Sequence, residues 1–189
     1  MISQALYLGF LALLAVERGL ELAISRKNAR TAFAHGGYEV GRRHYAWMAV
    51  VHTSFFVCCA GEVLLLKRPF PGGFGFIALF AALAAQGLRY SAVSALGERW
   101  NVRIIVWPSR EPVTGGPYRF MRHPNYVAVI IELLAVPLVH GAFLSALFFS
   151  ICNAVLLTVR IRAEERALGP AYAAAFAHHP RFIPKGPVE

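Results

Sequence analysis

The chain is short of charge and of cysteine. Only 15% of its 189 residues are charged, against 57% hydrophobic, and the mean hydropathy is +0.52. A soluble domain of this length could hardly hide so much apolar surface. The scarcity therefore points to one membrane-embedded domain over 1–189. The three cysteines, Cys58, Cys59 and Cys152, all lie in apolar runs. No CxxC meets a second CxxC or spaced histidines, so neither a zinc site nor a disulfide framework is expected, and no metal is assigned. Also missing are a GxGxxG loop, an evident nucleophile–base pair, an internal repeat and a low-complexity segment. The first residues lack a basic region and a small-residue cleavage site before Glu17, so they read as a retained span rather than a signal peptide.

What is abundant is positive charge, +9 at neutral pH. In a soluble protein this would suggest nucleic acid. Here the basic residues flank apolar spans, which points to lipid headgroups and topology, with no nucleic-acid partner. Apolar stretches cover 1–24, 47–66, 74–96 and 126–159. The last is too long for one crossing at about 20 residues per bilayer. Pro137 with His140-Gly141 marks a tight turn that divides it into helices at about 124–139 and 141–168.

The expectation is an all-α integral membrane fold of about five transmembrane helices. Three lie in 1–97, and 98–189 supplies a connector, a helix-turn-helix hairpin with a cytoplasmic cofactor pocket, and a tail. With five spans, segments 25–45, 97–125 and 160–189 share one side and carry fifteen of the 19 Lys and Arg residues. The other side has only Lys67 and Arg68, and Arg18 and Arg89 lie in spans. The positive-inside rule places the rich side in the cytoplasm. The fifth helix, at about 28 residues and roughly 42 Å, outlasts a core of about 30 Å. Its last turns lift Arg160, Arg162, Glu164 and Glu165 into the aqueous layer, and Gly169-Pro170 ends it.

Arg122-His123-Pro124-Asn125-Tyr126 stands between two apolar stretches and is answered by Arg162-Ala163-Glu164-Glu165. Such groups at the mouths of spans are costly unless something uses them. They converge only if the hairpin folds back, making a pocket open to water for a soluble reactant and to lipid for an oily one. That is the geometry of a membrane-embedded transferase. Pro124 suits the first turn of the fourth helix. The irregular connector 108–126, with Gly115-Gly116-Pro117, lets backbone approach a ligand, and the start of that helix offers N–H groups to an anion. Glu164 and Glu165 face about 100° apart on a helix. One is expected to bind a ligand and the other to pair with Arg160 or Arg162. Glu17, Arg18, Glu21, Glu62 and Arg89 read either as mutual pairs inside the bundle or as a substrate headgroup site. His178-His179 read as solvated.

Val113-Thr114-Gly115-Gly116-Pro117-Tyr118, then Arg122-His123-Pro124-Asn125-Tyr126, then Glu164-Glu165 with Leu168 and Tyr172 resemble the isoprenylcysteine carboxyl methyltransferase family over about residues 98–184. The first half, with Glu17-Arg18, Glu21-Leu22, Ser25-Arg26, Asn28, Gly36-Gly37-Tyr38-Glu39, Gly41 and His44-Tyr45, resembles a bacterial subgroup. Some of its members methylate long-chain polyketides such as alkylpyrones and alkylresorcinols. The resemblance implies an integral membrane enzyme using S-adenosylmethionine, in the bacterial inner membrane with its active site facing the cytoplasm. It implies cofactor binding by Arg103, Val113, Tyr118, His123, Pro124, Asn125, Tyr126 and Glu165. It implies Arg160 or Arg162 as partner of a substrate anion, with Glu164 beside them. The acceptor would be the acidic oxygen (carboxylate, enol or phenol) of a lipophilic molecule such as an isoprenylcysteine or a long-chain polyketide, taken from the bilayer among membrane lipids. An RHPxY motif with a later Glu pair also occurs in membrane phospholipid N-methyltransferases and NAD(P)H-dependent membrane reductases. A non-enzymatic lipid-binding protein is the remaining alternative. A sulfonium methyl is already activated, so an oxygen nucleophile needs chiefly alignment, desolvation and a cationic orienter.

Overall fold

A computed structural model of the protein describes residues 2–183. Lys185 of the third basic segment, and the side chains of Arg43 and His44, lie outside what it describes. Five long helices carry the fold: α1 (Ile2–Ala34), α2 (Arg42–Leu65), α3 (Gly73–Leu96), α4 (Pro124–Leu138) and α5 (Phe143–Ala175). In hydrocarbon every backbone polar group needs an internal partner, which a helix supplies. The segments Tyr45–Leu65, Gly73–Arg99 and Phe143–Ala175 are each long and apolar enough to cross a membrane. The apolar α4 is shorter, at 15 residues. The protein is thus a mostly helical integral membrane protein.

Two parts differ from the expected layout. First, α1 does not end near residue 24 but runs on to Ala34. Beyond the apolar stretch it stays helical because one face, Ser25, Asn28, Ala29 and Ala32, is buried, while Arg26, Lys27 and Arg30 are exposed. That face holds the connector after α3. Asn101 Nδ2 donates to the Ser25 carbonyl at 2.8 Å, and Asn28 Nδ2 to the Trp100 carbonyl at 2.9 Å. The helix closes at Gly36, whose φ of 81° favours glycine. A side chain at Gly37 would meet the Ala32 carbonyl oxygen at 2.7 Å.

Second, the fold is not purely helical. β1 (Tyr38–Val40) and β2 (Ile104–Val106) form an antiparallel ribbon in which Tyr38 faces Val106 and Val40 faces Ile104. It ties the segment after α1 to the connector.

The helices are drawn together by small residues. Ala78, Ala82, Ala85 and Ala92 form a buried stripe on α3, and α4 answers with Ala128 and Ala135. Small stripes let backbones approach where lipid offers no hydrophobic drive between helices. The α4–α5 turn forms as expected, with Pro137 in the last turn of α4 and Gly141 at φ 71°. Glu62 of α2 sits beneath it as a cap. Its carboxylate accepts the N–H of Leu144 at 3.1 Å and of Ser145 at 2.7 Å, and it also pairs with Arg68 at 3.0 Å. Gly169 interrupts α5 (φ 72°, ψ −162°), but the chain turns helical again after Pro170, so the expected stop is a kink. The kink swings Tyr172 and Phe176 back to pack with Tyr118.

Candidate active site

A cavity of about 590 Å³ opens between the helices at the end of the bundle that carries the Arg122–Tyr126 motif. This is ample for a small-molecule site. Its wall takes Arg18 and Glu21 from α1, Met48 and His52 from α2, and Arg89 from α3. The connector Glu98–Val113, the start of α4 and one face of α5 complete it.

The start of α4 is organised by its partners. His123 caps the helix with non-helical dihedrals (φ −129°, ψ 57°), and Pro124 follows at the first helical position. Both are buried. His123 Nε2 hydrogen-bonds Glu165 Oε1 at 3.1 Å, and its ring stacks on Tyr126 with centroids 5.2 Å apart. Asn125 Oδ1 accepts from Arg89 at 3.2 Å. The N–H groups of Arg122 and His123, just before the first helical residue, are already bonded. They donate to the carbonyls of Pro180 and Arg181 at 2.9 and 3.1 Å, so the tail is laid across this end of the helix.

The glutamate pair splits in function. Glu164 accepts a hydrogen bond from the Tyr126 hydroxyl and lines the cavity. Glu165 turns to the tail, where Arg181 grips it at 3.0 and 2.6 Å and Arg122 stands 3.9 Å away. Neither pairs directly with Arg160 or Arg162, contrary to expectation. Arg160 is buried instead, donating from Nε to Tyr126 at 2.8 Å, from one terminal nitrogen to the Val102 carbonyl at 2.7 Å and from the other to Met48 sulfur at 3.5 Å. It lines the cavity, whereas Arg162 is exposed on the far side of α5.

The remaining expected positions also gather here. Arg103 lines the cavity, pairs with Glu39 of β1 at 3.0 Å and lies 5.7 Å over the Phe33 ring. Val113 and Tyr118 line it too and pack with Leu168 and Tyr172. Burial, with Glu164 nearby, pushes the Tyr118 phenol well above its ordinary range, so it stays protonated. His179 is not simply solvated. It packs edge-on against Phe176, and its carbonyl accepts from Arg122 at 2.7 Å.

The charges in the spans form one cluster bordering the cavity. Arg89 reaches Glu21 and Glu132 at 3.4 Å each, and Arg18 reaches Glu21 at 2.8 Å and Glu17 at 3.2 Å. Gln86 bridges Arg18 and Glu17. Through Arg89 and Asn125 the cluster is joined directly to the motif on α4. Glu62 has no part in it. Neither the Arg89–Asn125 link nor the role of Arg181 is legible in the sequence. The only hint of Arg181 is an isolated basic residue shortly after the helix that carries Glu165.

The chain is 43% identical over 159 residues to YpbQ, an uncharacterized protein of Bacillus subtilis, covering 84% of this chain and 94% of that one. It is 28% identical over 160 residues to an uncharacterized protein of Haemophilus influenzae, covering 84% of this chain and 92% of the relative. It is 29% identical over 114 residues to the protein-S-isoprenylcysteine O-methyltransferase of Schizosaccharomyces pombe, which takes in 59% of this chain and 46% of the yeast protein. The family pattern of isoprenylcysteine carboxyl methyltransferases matches residues 76–170, from early α3 to the kink of α5. These residues include the motif, the hairpin and both glutamates, so the chain belongs to the isoprenylcysteine carboxyl methyltransferase family.

Proposed function

We propose that the protein is an S-adenosylmethionine-dependent O-methyltransferase. It transfers a methyl group to an acidic oxygen of a lipophilic molecule, an isoprenylcysteine-like carboxylate or the enol or phenol of a long-chain polyketide. The observation that carries this reading is the single cavity. It joins the His123–Tyr126 motif, the Arg160–Glu164 face of α5 and the apolar helices α1 and α2 in one space.

The wall fits the cofactor's chemistry. Tyr118, Tyr126 and Tyr172 turn aromatic surface to the cavity, which attracts a sulfonium. Glu164 offers a carboxylate to an ammonium, and Arg103 offers a guanidinium to a carboxylate. When bound, the cofactor supplies a methyl group already activated as a leaving sulfonium. Arg103, Val113, Tyr118, His123, Asn125 and Tyr126 then form its contact surface, while Pro124 and Glu165 hold His123 in place. Arg160 spends three of its five N–H donors within the protein. The two left over suit an acceptor oxyanion, so Arg160 rather than Arg162 is the orienter, with Glu164 fixing Tyr126 beside it. The acceptor enters from the bilayer between α1 and α2, where the small residues Ala15, Gly19 and Ala49 line the cavity. The cavity mouth near the basic connector faces the cytoplasm, with the five helices as five spans.

Incubating purified protein with labelled S-adenosylmethionine and a membrane lipid extract tests the proposal. Label should enter the lipid phase as a base-labile or ether-linked methyl. Binding of a nicotinamide cofactor in place of S-adenosylmethionine would defeat it.

A further inference from the structure

Among the polar side chains on the cavity wall is a histidine of α2. His52 lies inside the Tyr45–Leu65 span and is half-buried. It borders both the main cavity and a smaller void of about 40 Å³ walled by Leu14, Phe55 and Val136. An imidazole in an apolar span is costly unless something uses it.

Its hydrogen bonding fixes its chemistry. Nδ1 lies 2.8 Å from the carbonyl oxygen of Met48, one turn back on α2. A carbonyl can only accept, so Nδ1 carries the proton, and Nε2 of the neutral ring is left with a lone pair. No described side chain hydrogen-bonds Nε2. Nor is it sealed inside the protein, as both ring nitrogens of His140 are.

Its position is equally specific. Met48 touches Arg160, and Arg160 holds the Tyr126 hydroxyl. One helical turn is about 5.4 Å. His52 therefore stands about one turn deeper in the bundle than the Tyr126–Arg160 pair, roughly the span of a single-ring headgroup. Further charged and titratable groups on the same walls include Arg18 and Glu21 of α1, Tyr45 of α2, Arg89 of α3, Arg103 of the connector, Tyr126 and Glu132 of α4, and Arg160 and Glu164 of α5. Arg18 and Arg89 have direct carboxylate partners, whereas Arg160 bonds neutral acceptors and meets the Glu164 carboxylate only through the Tyr126 hydroxyl. The wall thus holds a lone pair for a proton and, in Arg160, a cation with N–H donors to spare for an oxyanion.

We infer that His52 is the proton acceptor of the reaction, and that the methyl acceptor is a lipophilic phenol, still protonated at neutral pH, rather than a carboxylate or an already ionised enol. This rests on the O-methyltransferase reading above. The S–CH₃ bond of the sulfonium breaks and an O–CH₃ bond forms at the hydroxyl oxygen. The hydroxyl proton passes to Nε2 and from there to water. A carboxylate gives up no proton and would leave Nε2 without a task.

The test uses the full chain in liposomes, with dodecylphenol, its methyl ether and myristic acid as probes. Without cofactor, the wild type should bind the phenol several-fold tighter than the ether. His52→Ala should erase that preference, and His52→Gln, which keeps an acceptor oxygen, should retain it. With S-adenosylmethionine, phenol turnover should fall about hundredfold in both variants, within the range usual for a general base. Cofactor affinity should not change. Wild-type turnover in His52→Gln, equal binding of phenol and ether, or methylation of myristic acid alone would each overturn the inference. The last result would leave the methyltransferase reading standing. A wild type that methylates neither probe nor any extract lipid would remove both.

Discussion

At the turn end of the α4–α5 hairpin, Glu62 accepts two backbone N–H groups of α5 and the hydroxyl of Ser145, and pairs with Arg68. At the other end, among the described residues, Glu165 is met only by side chains: His123 of α4, Arg181 of the tail and, farther off, Arg122. Both are carboxylates at the edge of an apolar helix pair, Glu62 buried and Glu165 half-buried, and composition alone makes them equivalent. Their partners separate them. Backbone N–H groups cannot turn away without unwinding the helix, so Glu62 is committed to the fold. Side chains can exchange one partner for another, so Glu165 can hold His123 in register for a ligand.

The sharpest break between the two ends comes from truncating each carboxylate. Glu62→Ala leaves Arg68 and the first turn of α5 without their acceptor. The expected loss is about 3 kcal/mol of stability, within the range for breaking a buried pair. It should appear as a lower thermal midpoint in detergent, with unchanged cofactor affinity in the protein that remains folded. Glu165→Ala and His123→Ala should do the reverse. Affinity for S-adenosylmethionine should fall at least hundredfold, about 2.7 kcal/mol, while stability falls less than in Glu62→Ala, since His123 borders the open cavity and Glu165 is only half-buried. Calorimetry on both variants checks this, and normal binding by both would make the two ends alike.

A smaller contrast lies within α5. Arg160→Lys keeps the charge but loses the guanidinium fork that reaches Tyr126, Val102 and Met48 at once. Turnover should drop about tenfold, or about 1.4 kcal/mol. Arg162→Ala should leave it unchanged. Equal effects in a lipid-methylation assay would erase the distinction between the two arginines.

That distinction also shows how far the sequence could be read. Arg160, Glu164, Leu168 and Tyr172 repeat every fourth residue and share the cavity wall, while Arg162 falls on the opposite face. The periodicity was visible, but the phase of α5 against α4 was not, because packing sets it. The helices themselves were legible wherever apolar runs and Gly-Pro punctuation agreed, as in α2 to α5. The extension of α1 was not, since its polar face is satisfied by Trp100 and Asn101, far away in the chain. The ribbon was not either, because three residues per strand give alternation nothing to repeat. For the site, the motif and the glutamate pair stood out as charges beside apolar runs. Arg89 did not stand out as a partner of Asn125, because a lone arginine in a span names no partner until the helices are packed.

The tail supplies the finest test of the comparison. Arg181 grips Glu165 with both nitrogens of its fork, yet its side chain is 51% exposed. An exposed ion pair contributes little to stability, about 0.2–1 kcal/mol, and salt weakens it further. The tail is also held independently of that side chain, because the carbonyls of Pro180 and Arg181 accept from the N–H groups of Arg122 and His123. Arg181→Ala should therefore leave the tail in place and change stability by less than about 0.5 kcal/mol. Glu165 would keep His123 but gain freedom, so cofactor affinity should weaken only about threefold. The difference from wild type should shrink as salt is raised. Arg181→Glu should cost more, because it sets a like charge against Glu165 where a fork had been. If Arg181→Ala instead abolished binding as completely as Glu165→Ala, and did so regardless of salt, Arg181 would itself be a cofactor contact, and Glu165 would serve mainly to aim it.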